Sequence, residues 1–166
     1  MTVLRTILLS AVLALALSGC GYHATGHGEH LVLDASHRAL CIRSVENPTL
    51  KPWLESVLRA EVRDEFTRRG HIDWASVKDA QADLHLVVNS FRSDASLTDS
   101  DDETIKSSST ITLTARIVSR DTGAELWNSG PVSASQSFTT GGKESAEHVV
   151  VNLAVRRLAD RLTQAY

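Results

Sequence analysis

The chain has 166 residues, with 17 Lys plus Arg against 20 Asp plus Glu, a formal net charge of −3, and 42% hydrophobic residues. That length supports one domain with a real core and leaves little room for a second. The acidic balance excludes a general basic footprint for nucleic acid, so an anionic partner has to be met by a local patch.

Met1 to Thr6 carries one charge, Arg5, and no acid, and Ile7 to Leu17 is apolar apart from Ser10. This is the n-region and h-region pattern of a secretory signal, too short to span a bilayer as a mature helix. Leu17-Ser18-Gly19-Cys20 follows, where an ordinary signal would close on an A-x-A-like site. It reads as a lipobox. In that chemistry the Cys20 thiol takes diacylglycerol, the chain is cut before it, and the new amino group is acylated. Several acyl chains, at about 0.8 kcal/mol per buried methylene, make a durable anchor. Gly21 beside the cysteine, in place of an acid, fits sorting to the outer membrane. The expected organisation is a signal peptide at 1–19, a lipidated tether at 20–36 and a single domain at 37–166. Loss of Arg5 leaves 16 basic residues against 20 acids, a mature net charge of −4.

The tether mixes glycine, threonine and the histidines His23, His27 and His30 without periodicity. Three histidines could gather a metal, but no acid or thiol pattern accompanies them, and no metal or other cofactor is expected. Ala39–Val45 reads as a strand. It holds Cys41, which has no partner once Cys20 is lipidated and suits a buried, inert thiol. "ENPT" ends the strand and sets up a helix start. Leu50, Trp53, Leu54, Val57, Leu58, Val62 and Phe66 then form one stripe of an amphipathic helix, with Gly70 as its stop. Ala82–Phe91 alternates with apolar residues on both sides, as a central strand does.

"RSDASLTDSDDETIKSSS" reads as a polar, acidic loop. In "STITLTARIV", Ile111, Leu113, Ala115 and Ile117 point one way and Thr110, Thr112, Thr114 and Arg116 the other. A turn at Asp121-Thr122-Gly123 leads to a fourth strand through Trp127. Beyond the Gly130-Pro131 break, Val132 to Phe138 alternates with serines, so that strand resumes or forms a ribbon. The closing segment puts Val151, Ala154, Val155, Leu158, Leu162 and Ala165 on one helical stripe. The order predicts an α+β two-layer sandwich, with two helices packed on one face of a four-stranded mixed sheet. The other face carries Thr110, Thr112, Thr114, Ser133, Ser135 and Ser137, a hydroxyl lining that suits a polar enclosure or open water alike.

A lipobox followed at once by "CGYH", a strand ending in "ENPT", an amphipathic helix, then "ADLHL" and "TGAELW" resembles the LptE family of lipopolysaccharide-assembly lipoproteins. The resemblance covers nearly all of the mature chain. It implies two helices against a four-stranded sheet, a place inside an LptD-type β-barrel of the outer membrane, and contact with lipopolysaccharide. It also implies basic contacts in the loop after the second strand and just before the last helix. Lys143 in "TTGGKES" takes the second position, near a helix N-terminus where phosphates find backbone donors. Arg92 and Lys106 flank the first. The chain departs from the pattern in that loop, where Asp94, Asp99, Asp101, Asp102 and Glu103 repel phosphate unless a divalent ion bridges them.

Catalysis is not expected, because the chain has no G-x-S-x-G, no HExxH and no glycine-rich phosphate loop. The rival reading is an envelope lipoprotein of related fold that activates a cell-wall synthase or assembles a secretion channel. Cys20→Ser should leave an uncleaved precursor that takes up no labelled fatty acid, as read by mass and by acyl incorporation. Normal incorporation in that variant would end the lipoprotein reading.

Overall fold

The structure, a computed structural model, describes residues 33–70, 72–97, 106–139 and 141–163. The expected anchor Cys20, the histidines His23, His27 and His30, and the acids Asp99, Asp101, Asp102 and Glu103 lie outside the described residues. Leu33 is already buried in the core, ahead of one 3-10 turn at Ala35–His37.

β1 (Ala39–Glu46) buries Leu40, Cys41 and Ile42. At its end Asn47 builds a turn from its own side chain. Its Oδ1 accepts from the Thr49 N–H at 3.2 Å and the Thr49 hydroxyl at 2.6 Å, and its Nδ2 donates to the Lys51 carbonyl at 2.8 Å. The chain is thereby aimed into α1 (Trp53–Arg68), which buries Leu54, Leu58, Val62 and Phe66. Leu50, expected on that stripe, is fully exposed, because it sits in the turn before the helix begins. Gly70 closes the helix in the left-handed region at φ +72°.

A two-residue β2 (Asp73–Trp74) pairs parallel with β1, and β3 (Ala82–Leu97) pairs parallel with the other side of β1, with α1 as the crossover. β4 (Lys106–Ser119) runs antiparallel to β3. β5 (Glu125–Asn128) and β6 (Val132–Phe138) both pair antiparallel with the far edge of β4, one after the other, and α2 (Lys143–Thr163) closes the layer. The two helices and the apolar sides of the strands share one core, so the two-layer α+β arrangement holds.

The sheet has six strands where the sequence predicts four. The far edge is broken at Ser129-Gly130-Pro131. Gly130 is left-handed at φ +59°, and Pro131 has no N–H for a ladder. Ser129 fills the gap by donating its N–H to the Ala115 carbonyl and accepting the Ala115 N–H on Oγ, each at 2.9 Å. β2 is too short to leave a periodic trace. The segment read as a loop after Phe91 is a second correction: β3 continues to Leu97 and β4 starts at Lys106, so most of it is hairpin. Serines and aspartates carry no apolar alternation, which hides those strand ends.

Asn89 sets the faces of this hairpin. Val88 pairs with Leu113 and Ser90 with Thr112, so Asn89 is a bulge residue without a partner. The extra residue resets the alternation. Phe91 and Ser93 turn to the helices, and Arg92 turns to the opposite face. On the helix side Ser93 Oγ donates to Glu147 Oε1 at 3.0 Å, and Lys51 Nζ lies 2.8 Å from both Glu147 oxygens. The same Nζ sits over the Phe91 ring at 5.1 Å and the Trp53 ring at 5.8 Å. This cluster ties the hairpin to the start of both helices.

Burial works to raise the Glu147 carboxyl. Hydrogen bonds from Lys51 and Ser93, with the charges of Lys51 and Lys143, more than offset it and hold the group below its ordinary value. A depressed carboxyl adds stability that is present above the unfolded value and lost as pH falls through the folded one. Glu147→Gln should therefore lower stability at neutral pH and flatten the acid limb of the stability profile below about pH 4.5, measured by denaturant titration across pH. Leu113→Ala and Leu158→Ala, both at core positions, should each cost about 2–5 kcal/mol. Unchanged melting temperatures for both would show that these faces do not form the core.

Candidate functional site

The sheet face turned away from the helices is lined by hydroxyl groups. Thr110, Thr112 and Thr114 alternate with the buried Ile111, Leu113 and Ala115, and the register sets Ser135 opposite Thr110 and Ser133 opposite Thr112. The Thr112 and Ser133 hydroxyls are 2.8 Å apart and those of Thr110 and Ser135 3.0 Å apart. Thr114 Oγ1 donates to the bulge residue Asn89 at 2.8 Å. Threonine suits a strand, and cross-strand hydroxyl pairs of this kind hold one another in place. The result is a polar surface dominated by hydroxyl groups.

Toward β1 the face acquires charge. His85 lies across from Arg116 and within 2.8 Å of Ser44 Oγ through Nδ1. Burial depresses the His85 pKa and Arg116 depresses it further, against smaller opposing pulls from Asp83 and Glu46, so the ring is neutral at pH 7. Asp83 is paired with Arg120, whose Nη2 approaches to 2.7 Å. Arg116 itself is exposed, between His85 on β3 and Asn128 on β5. Among the described residues no group of three or more His, Cys, Asp or Glu is placed to hold a metal, and no helix is long and apolar enough to cross a membrane.

The three basic candidates do not fall in one patch. Arg92 is exposed and shares the hydroxyl face by its register with Thr110. Lys106 opens β4 opposite Leu97, four residues and roughly 13 Å along the strand from Thr110. Lys143 is the exposed first residue of α2 and belongs to the helix layer. Its charge helps keep Glu147 ionised, and Glu144 and Glu147 already complement that helix N-terminus. Arg116 is the basic group on the open face to which sequence reading assigns no role. Its alternation with the threonines is the signal that places it there.

Among curated proteins, none matches the chain in sequence. Many solved structures match its fold, two of them as follows. One is a protein described as a lipoprotein from Caulobacter crescentus CB15, 17% identical with a TM-score of 0.50, covering 72% of this chain and 87% of that one. The other is a minor lipoprotein from Acinetobacter baumannii, 14% identical with a TM-score of 0.51, covering 76% of this chain and 91% of that one. At such identities the likeness is one of fold alone. The sequence pattern of the LptE lipopolysaccharide-assembly family matches residues 38–165, from the threshold of β1 to the end of α2, and on that match the chain belongs to the LptE family.

Proposed function

We propose that this LptE-family chain is a lipid-anchored, periplasm-facing protein of the outer membrane that plugs and supports an LptD-type β-barrel and binds lipopolysaccharide during its assembly. Family membership supports the general role. The observation that carries the finer reading is the hydroxyl face of β3, β4 and β6, which no other described element covers. A barrel lumen is polar, and Thr110, Thr112, Ser133 and Ser135 present hydroxyls that can exchange hydrogen bonds with it. The role is non-catalytic, with Cys20 as the site of acylation.

Photo-crosslinking residues placed at Thr112 and Ser133 test this in cells. A crosslinked β-barrel supports the plug, and a crosslinked cell-wall synthase or secretion-channel subunit overturns it. Lipopolysaccharide is multiply phosphorylated, so a chain of net negative charge has to meet it with local cations. Arg92 and Lys106 on the hairpin, with Lys143 on the helix layer, are the proposed contacts. Replacing all three by glutamate should leave the melting temperature within a few degrees, weaken binding to purified lipopolysaccharide and make the remainder less salt-sensitive. Binding as tight as the parent's at low salt would remove these residues from the site.

A further inference from the structure

The two edges of the sheet are finished differently. At the β1 edge, β2 pairs with Ala39 and Leu40, the Ala75 N–H reaches the Leu40 carbonyl at 2.9 Å, and Arg59 Nη1 donates to the Ile42 carbonyl at 3.1 Å. A register shift between Ile42 and Ser44 also bends β1. All of these blunt an edge. Among the described residues, β6 has no strand on its outer side and no bulge. It pairs with β4 alone, in unbroken register from Val132 opposite Leu113 to Phe138 opposite Ser107. Its sequence, "VSASQSF", has no charge and no proline.

The ladder shows which backbone groups face outward. In an antiparallel pair, alternate residues turn both N–H and C=O to the partner and the residues between turn both away. The Ser133 carbonyl accepts from Arg157 Nη1, so it points away from β4. By alternation, Ser135 and Ser137 also present their backbone groups to the free edge. The close hydroxyl pairs Thr112–Ser133 and Thr110–Ser135 agree, since non-hydrogen-bonded pairs bring side chains nearest. The Ser137 carbonyl is taken by Gln136 Nε2 at 3.0 Å. The edge thus offers three N–H groups and the Ser135 carbonyl.

Arg161 Nη1 donates to the Ser129 carbonyl, just before β6 begins. Two guanidinium groups of α2 therefore hang over one open edge. That charge works against a second copy of this chain, because pairing two β6 strands edge to edge would bring like charges together. It favours a segment with carboxylates. An incoming N–H replaces Arg157 on the Ser133 carbonyl, and the released guanidinium takes a carboxylate in a bidentate, charge-assisted pair.

We infer that the outer edge of β6 is a strand-docking site for an extended, carboxylate-bearing segment of the barrel partner, seated with its acids against Arg157 and Arg161. The inference rests on the barrel-plug reading for the identity of that partner. Ser135→Pro tests the edge, since it removes an outward N–H, leaves the β4 ladder intact and sits where an edge strand tolerates proline. Ser135→Ala keeps the N–H and removes only the hydroxyl.

The full-length chain is co-expressed with the barrel and captured in mild detergent, and the melting temperature of each variant is measured alongside. Ser135→Pro and Arg157→Glu should each recover about tenfold less barrel than the parent, with Ser135→Ala recovering clearly more than Ser135→Pro and Arg157→Lys falling between Arg157→Glu and the parent. Undiminished recovery with Ser135→Pro and Arg157→Glu overturns the docking edge and leaves the plug reading standing. Equal loss with Ser135→Ala and Ser135→Pro assigns the contact to the hydroxyl face and also overturns the edge. If Ser135→Pro unfolds the domain, Arg157→Glu decides alone. A parent chain that captures no barrel removes the plug reading and this site with it.

Discussion

The antiparallel pairing of β3 with β4 is the joint from which the other parts of the domain are hung. β1 attaches through β3, β5 and β6 attach through β4, and the last helix lies on β4 and β6. One unpaired residue within that ladder, Asn89, apportions the side chains of the hairpin between the two layers. Beyond it Phe91 and Ser93 meet the helices and Arg92 meets the opposite face. A hairpin without the bulge would turn Phe91 to water and Arg92 into the core. The polar surface and the buried Lys51–Glu147 cluster therefore share one structural cause.

Charge inside the domain is used to hold elements in register. Burial raises the Glu65 carboxyl, but Arg68 and Arg69 outweigh it and keep the group ionised. Arg69 also reaches Asp160 at 2.6 Å, which pins the end of α1 against α2. At the other end of the helix pair, Lys51 and Glu147 do the same. Ion pairs that stay partly exposed, as Arg69–Asp160 and Lys51–Glu147 do, add little net stability, yet removing Lys51 strands the charge of the buried Glu147. Two such pairs at opposite ends of a helix pair resist sliding of one helix along the other, which apolar packing alone resists less well.

The strands with an apolar side and a polar side are legible in the sequence. Thr110 to Ile117 is the clearest case, and its hydroxyl face is readable with it. Elements whose residues are polar on both sides are not, which is why the hairpin beyond Arg92 and Thr110 reads as a loop. Leu50 fits the periodicity of α1 but precedes its first turn, because the Asn47 side chain sets where the helix starts. The basic candidates separate in space for a similar reason. The position of Arg92 depends on a bulge with no local signature, and that of Lys143 on which layer α2 occupies. Spacing along a chain does not reveal either.

The last described element, α2, supplies a large share of the core, with Val150, Val151, Ala154, Val155, Leu158 and Leu162 all buried. Every described strand precedes it. A chain emerging from its N-terminal end can assemble the whole sheet while Ile111, Leu113, Ile117 and Val132 still face water. Such a half-covered sheet is the kind of species that aggregates. Any holding chaperone that serves this protein finds its substrate in that interval. The arrival of the final helix then decides when the chain becomes safe to release.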